Sequence, residues 1–253
     1  MAMVMPEADE RTVKRVAHRS FVNFCKYIAD FVRFPSLSQE DIRRKFLAHD
    51  AEWKSADELL AQGKGLIAVT MHFGNWDLAA ASVIQRGYVI NVIAERFKNR
   101  SKDRLAMEMR HTFGMKVIPM EKAAVGAYRA LRKNEVLALL IDRPLLEAGV
   151  TVNFFGAPTR VPEGTARLAL RTGAPILVIG LLRVKDDAVR PLLEPIPPLE
   201  RTGDEEQDIQ VLTQRIMDAL EKMVRAYPEQ WYMFRRMWAQ PEPSLQKEEV
   251  LAR

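Results

Sequence analysis

The segment Val69-Thr70-Met71-His72-Phe73-Gly74-Asn75-Trp76-Asp77 holds the side chains best suited to moving a proton. An imidazole titrates near neutral pH, and a carboxylate beside it can fix its tautomer and support the imidazolium formed when it accepts a proton. His72 and Asp77 are separated by four residues. On one straight helix that offset does not align two side chains. With His72 on a preceding turn and Asp77 in the first helical turns, the chain can fold back and bring carboxylate to imidazole. Gly74 permits such a turn, and helix N-terminal dipoles favour the neutral imidazole that a general base needs. Taken alone, an isolated pair of this kind reads as a histidine that merely caps a turn.

The elements around it give His72 its address. From Gly65 onward, short apolar runs alternate with helical stretches. Residues 66–71, 88–95, 115–120, 136–141 and 175–183 read as strands. Residues 75–86, 101–113, 122–133, 162–171 and 204–226 read as helices. This alternation predicts an α/β fold with a largely parallel central sheet flanked by helices on both faces. Strands apolar on both sides, such as Leu137-Ala138-Leu139-Leu140-Ile141, fit a covered sheet. His72 then lies beyond the carboxyl end of a strand, where ligands bind in open α/β sheets. Glu95 and Arg96 lie beyond the second strand and Asp142 and Arg143 beyond the fourth, on the same edge.

Before Gly65 the chain reads as helical. A basic, amphipathic helix within residues 13–34 carries Phe21, Phe24, Ile28, Phe31 and Val32 at three- and four-residue spacing, with Arg19, Lys26 and Arg33 among them. Its apolar face can pack on the sheet or lie in a membrane interface. Pro35 ends it, and Ser38 followed by Glu40 and Asp41 reads as the cap of a second helix. Cys25 on the aromatic face reads as buried.

Composition bounds the alternatives. The chain has 253 residues, 48% of them hydrophobic, enough for one sizeable core, and residues 1–253 are expected to form a single domain with an α/β body over 65–240. A single cysteine excludes an internal disulfide framework, and with four histidines it leaves little for a structural zinc site. Residues 11–45 carry nine basic and three acidic side chains, and residues 96–133 carry eleven and three, so the remainder is acidic. Such clusters suit an anionic partner or a solvated helix face. No motif of a nucleic-acid-binding module accompanies them, so nucleic acid is not expected. No apolar run approaches the ~20 residues that span a bilayer, and Met1 to Arg11 lacks a signal-peptide core.

His72-Phe73-Gly74-Asn75-Trp76-Asp77 resembles the first motif of the lipid A biosynthesis lauroyl/myristoyl acyltransferase family, which includes bacterial phosphatidylinositol mannoside acyltransferases and belongs to the glycerolipid acyltransferase superfamily. The resemblance continues in order along residues 20 to 240. Ala94 to Asn99 is similar to the family's second strand end, and Arg110, Gly114 and Val117-Ile118-Pro119 to its next helix and strand. Asp142-Arg143-Pro144 followed by Phe154-Phe155-Gly156 resembles its Asp-Arg turn and Phe-Phe-Gly hairpin. Ala166 to Ile179 is similar to its following helix and strand, and Pro228-Glu229-Gln230-Trp231 with Arg235-Arg236 to its C-terminal signature.

The resemblance implies a glycerolipid-acyltransferase-like fold and transfer of an acyl group from a thioester, acyl-coenzyme A or acyl-carrier protein, to a lipid hydroxyl, with no metal, no cofactor and no covalent acyl-enzyme. A thioester is already activated, so a base, an oxyanion donor and orientation suffice. In that frame His72 is the base and Asp77 its orienter. Glu95, Arg96, Asn99, Asp142, Arg143, Phe155 and Glu163 are expected to bind substrate. Arg143 can fork to a phosphate or ion-pair with Asp142 or Glu95, and Arg96 and Lys98 can hold a donor phosphate or sit on a solvated surface. Val161-Pro162-Glu163-Gly164-Thr165 resembles the Phe-Pro-Glu-Gly-Thr motif of glycerol-phosphate acyltransferases. It follows the hairpin instead of a strand end, so it reads mainly as a helix start. Trp231, Phe234 and Trp238 form an interfacial cluster or fill the core. A lipid acceptor, a monomer, and peripheral attachment to anionic lipid at the cytoplasmic face of the inner membrane complete the expectation. An acyl-thioester hydrolase, a lipid A-type secondary acyltransferase and, more distantly, a basic nucleic-acid-binding domain are the alternatives.

Overall fold

The computed structural model describes residues 1–33, 36–46, 50–94, 98–143, 149–185, 188–235 and 237–238. Three helices lead in, α1 (Glu10–Arg33), α2 (Gln39–Lys45) and α3 (Asp50–Leu60). Then strands and helices alternate: β1 (Leu66–Thr70), α4 (Trp76–Gln85), β2 (Ile90–Ala94), α5 (Arg100–Thr112), β3 (Lys116–Pro119), α6 (Ala123–Arg132) and β4 (Val136–Leu140). A hairpin of β5 (Val150–Phe154) and β6 (Ala157–Val161) interrupts the alternation. It resumes with α7 (Gly164–Thr172), β7 (Ile176–Arg183), β8 (Val189–Ile196) and α8 (Glu205–Ala226). Six strands form one sheet in the order β3-β2-β4-β1-β7-β8. β1 pairs in parallel with β4 and β7, and β2 in parallel with β3 and β4, while β8 runs antiparallel along β7. This is the expected α/β fold.

Strand periodicity divides the core in two. Side chains on a strand alternate between faces, and β1 sends Ile67 and Val69 to one cluster and Leu66 and Ala68 to the other. β7 does the same, with Ile176 and Val178 on one side and Leu177 and Leu181 on the other. The first cluster is closed by α6, α7 and α8 through Leu131, Ala169, Ile216 and Leu220; the second by α2, α3, α4 and α5 through Ile42, Leu60, Leu78 and Met109. Ser38 caps α2 as expected, accepting from the Asp41 amide at 3.1 Å while its own amide donates to the Asp41 carboxylate at 2.9 Å.

Two features depart from expectation. β8 contains Pro191 and Pro195, which argue against a strand, but it lies at the sheet edge, where a missing N–H costs no ladder bond. Cys25 is exposed, not buried. The reason is the orientation of α1, which turns Val16, Ser20 and Tyr27 inward and leaves Phe21, Val22, Ile28 and Val32 exposed.

Leu220 of α8 is fully buried in the core against the sheet. Leu220→Ala is expected to lower unfolding free energy by about 3 kcal/mol, measured by urea denaturation, because it removes packed methyl groups and leaves a cavity.

Candidate active site

The register of two adjacent strands builds the site. Thr70 of β1 is paired with Leu140 of β4 in the parallel ladder. Two residues further along each chain stand His72 and Asp142. Their side chains meet: Nδ1 of His72 is 2.7 Å from Oδ1 of Asp142. The His72 backbone amide donates to Oδ2 at 2.9 Å, and the indole N–H of Trp231 donates to the same oxygen at 2.9 Å. Asp142 is 0% exposed. Its carboxylate is acceptor-only, so the imidazole partner of Oδ1 carries its proton on Nδ1. That leaves the Nε2 lone pair available on a side chain 17% exposed.

The turn that carries His72 is fixed on both sides. Its carbonyl accepts from the Tyr232 amide at 2.7 Å, the Gly74 amide donates to the Gln230 carbonyl at 2.8 Å, and the Asn75 amide donates to the Leu181 carbonyl at 3.1 Å. Gly74 has φ +56°, and a Cβ there would lie 1.7 Å from the Leu181 carbonyl oxygen. Both the left-handed backbone and this close approach require glycine. Asn75 then caps α4, its side-chain oxygen accepting from the Leu78 amide at 3.0 Å.

Asp77 is not the partner of His72. It begins α4 on the other side of Trp76, and its carboxylate receives the Tyr27 hydroxyl at 2.7 Å and Arg110 Nε at 3.4 Å. The helical rotation that buries Asp77 against α1 and α5 turns it away from the preceding turn, so the orienting carboxylate comes from the neighbouring strand instead. Burial, and then the Asp77 charge, push the Tyr27 phenol well above its ordinary pKa, so it remains a donor. The Tyr27 ring lies over Trp76 with centroids 3.9 Å apart, and Trp76 meets the His72 ring edge-on at 5.2 Å.

The remaining candidates separate. Arg143 follows Asp142 and is exposed at the same sheet edge. Glu95, Arg96 and Pro144 lie outside the described residues, as does Arg236. Asn99 starts α5, its side chain accepting from the Ser101 amide at 3.1 Å, and Lys98 is exposed beside it. Phe155 is buried rather than open to substrate; its ring stacks on Trp231 at 6.0 Å. Glu163 is engaged by Arg167, 2.7 Å away, as befits the start of α7. Trp231 fills the core, and its indole N–H in addition ends on the Asp142 carboxylate. Among the described residues, no group of three His, Cys, Asp or Glu side chains is arranged to hold a metal.

A histidine–carboxylate pair at the carboxyl edge of a covered parallel sheet is the arrangement of an α/β enzyme. Comparison with known proteins narrows the class to an O-acyltransferase: the model of the bacterial lipid A biosynthesis acyltransferase family matches residues 1–240, and the chain belongs to that family. It is similar to the phosphatidylinositol mannoside acyltransferase of Mycobacterium tuberculosis (strain CDC 1551 / Oshkosh), with 29% identity over 223 residues, 87% of this chain and 69% of the relative. It is 27% identical over 225 residues to the protein of the same description from Mycolicibacterium smegmatis (strain ATCC 700084 / mc(2)155), covering 87% of this chain and 71% of that one.

Tyr27→Phe removes one buried donor from Asp77 and keeps the aromatic stack. It is expected to cost about 2 kcal/mol of stability by urea denaturation. Gly74→Ala is expected to lower both stability and acyl transfer, because the turn must move off the Leu181 carbonyl.

Proposed function

We propose that this acyltransferase moves a fatty acyl group from an acyl thioester to a hydroxyl of a membrane glycolipid or phospholipid precursor. The observation that carries the reading is the pairing of His72 Nδ1 with buried Asp142, which leaves Nε2 free at the sheet edge. Nε2 accepts the proton of the acceptor hydroxyl as its oxygen attacks the thioester carbonyl. The tetrahedral intermediate collapses, the carbon–sulfur bond breaks, and the imidazolium returns the proton to the leaving thiolate. Asp142 holds the tautomer throughout and supports the transient imidazolium. No covalent acyl-enzyme is needed, and no cofactor beyond the donor, acyl-coenzyme A or acyl-carrier protein. The mycobacterial relatives, both phosphatidylinositol mannoside acyltransferases, favour an acceptor of that type. Arg143, exposed beside Asp142, is suited to a phosphate on donor or acceptor.

The outward face of α1 supports a membrane-surface enzyme acting at the cytoplasmic face of the inner membrane. Phe21 is 56% and Val32 53% exposed, with Ile28 between them, and Arg15, Arg19, Lys26 and Arg33 are exposed on the same helix. Apolar side chains ringed by cations fit the headgroup region of an anionic bilayer. No helix among the described residues is long and apolar enough to cross a membrane. Beside α1, a half-open groove of about 740 Å³ is lined by Met3, Phe21, Phe234 and Trp238, with Arg235 on its wall.

Labelled acyl-coenzyme A and acyl-carrier protein, offered with a membrane lipid extract, test the reaction. Wild type is expected to yield a labelled lipid, His72→Ala none, and Asp142→Asn about 10²–10⁴-fold less, because the amide cannot support the imidazolium. Transfer surviving His72→Ala would overturn the base; label released only as free fatty acid would make the protein a thioester hydrolase. In flotation assays, vesicles containing anionic phospholipid are expected to retain the protein at low salt, and Phe21→Asp with Ile28→Asp to abolish retention.

A further inference from the structure

We infer that Trp231 is a positioning residue for the His72–Asp142 pair, acting through its indole N–H and not only as packing. The inference rests on the reading of His72 as the base.

A carboxylate has two oxygens, and here their duties are divided. Oδ2 receives two N–H groups, the His72 amide and the Trp231 indole, both at 2.9 Å, while Oδ1 receives the imidazole at 2.7 Å. With Oδ2 held at two points the carboxylate plane is fixed, and Oδ1 has one orientation to offer the ring. The indole is donor-only, and when buried it must find an acceptor. Of the acceptors near the sheet edge it takes the one that faces the imidazole.

The surroundings hold the indole for that task. The Trp231 backbone bridges Phe73, one residue from His72, and its carbonyl accepts from the Ser20 hydroxyl of α1 at 2.6 Å. The preceding Gln230 is clamped to β7, its side chain accepting from the Arg183 amide at 3.2 Å and donating to the Arg183 carbonyl at 2.9 Å. On the ring itself, Phe155 stacks at 6.0 Å with 25° between planes, and Phe154 meets it edge-on at 5.9 Å. Phe155 reaches that position from a left-handed backbone, φ +54°, at the tip of the β5–β6 hairpin. A bulky residue there is strained. Arg225, 4.8 Å above its ring, and Glu221, which accepts its amide proton, keep it in place. The hairpin tip is therefore a support for the indole.

The consequence for catalysis has a sign. An N–H on Oδ2 disperses the carboxylate charge. Without it, more negative charge faces His72, the imidazolium is stabilised, and the base is protonated at higher pH. The freed carboxylate also holds the ring in more than one orientation. Trp231→Phe keeps an aromatic ring and removes the N–H. It is expected to lower kcat roughly 10- to 100-fold, the worth of one hydrogen bond to a charged group, with KM within about twofold, and to move the acid limb of the kcat/KM profile to higher pH.

Phe155→Leu provides the comparison, since it loosens packing on the indole and leaves its N–H. Because the indole is then aimed less firmly, the acid limb of this variant is expected to move in the same direction as in Trp231→Phe but by a smaller amount. Should Trp231→Phe fail to fold, the indole ¹⁵N–¹H resonance of Trp231 in the wild-type protein supplies the readout: it is expected to titrate with the midpoint of the acid limb. A Trp231→Phe enzyme with wild-type kcat and acid limb would overturn the inference while leaving His72 as base, and so would an indole resonance indifferent to pH. An acid limb shifted equally in Phe155→Leu would reduce Trp231 to packing and overturn it likewise. Loss of the base reading itself is detected separately, by transfer that survives His72→Ala.

Discussion

The buried carboxylate of Asp142 is the constraint on which the site depends. Such a group is tolerated in a protein interior only when its lone pairs are met by donors. Here three donors come from two parts of the chain: the backbone amide and the imidazole of His72 after β1, and the indole of Trp231 after α8. Each donor is held by bonds of its own, so satisfying one carboxylate commits the β1 exit, the β4 exit and the segment after α8 to a single arrangement. Opening any of them would leave a buried acceptor without its partner.

The leading helix is part of the same assembly, and its polarity follows from that. Its inward side bears Ser20, Asn23, Tyr27 and Asp30, which engage the Trp231 carbonyl, the Glu229 carbonyl, the Asp77 carboxylate and the Asn75 side-chain N–H. Asp30 also pairs with Arg183, whose side chain is almost wholly buried. Breaking such a buried pair costs far more than a surface pair contributes. With these polar contacts directed inward, Phe21, Val22, Ile28 and Val32 are left outside. Those exposed apolar residues and the cations beside them are what the proposed attachment to an anionic lipid surface rests on.

Much of the fold is legible in residue patterns because the elements are long and their periodicities strong. Apolar runs such as residues 136–141 could be nothing but covered strands or short buried helices, and the alternation with amphipathic stretches resolved the choice. β8 escaped because its prolines carry the signature of a non-strand, and only the edge position excuses them. The orientation of α1 escaped because periodicity identifies an apolar stripe without saying what covers it. Asp77 was attractive as the partner of His72 through proximity in the chain, whereas helix geometry sends it to Tyr27 and Arg110. Phe155 carries a hairpin signal in sequence; that its ring buttresses an indole is a fact of packing.

The amino-acid sequence alone established that a histidine would stand at the carboxyl end of a buried strand, that Gly74 would permit a tight turn there, and, through the alternation of strands and helices, that Asp142 would lie on the same edge. It could not determine which carboxylate would meet the imidazole. That was decided by strand order, which makes β4 the neighbour of β1, and by the parallel register that sets Thr70 beside Leu140, so that two further residues on each strand bring His72 and Asp142 level. Strand order is fixed by long-range packing of both sheet faces, to which residues from the whole length of the chain contribute, and local sequence contains no trace of it.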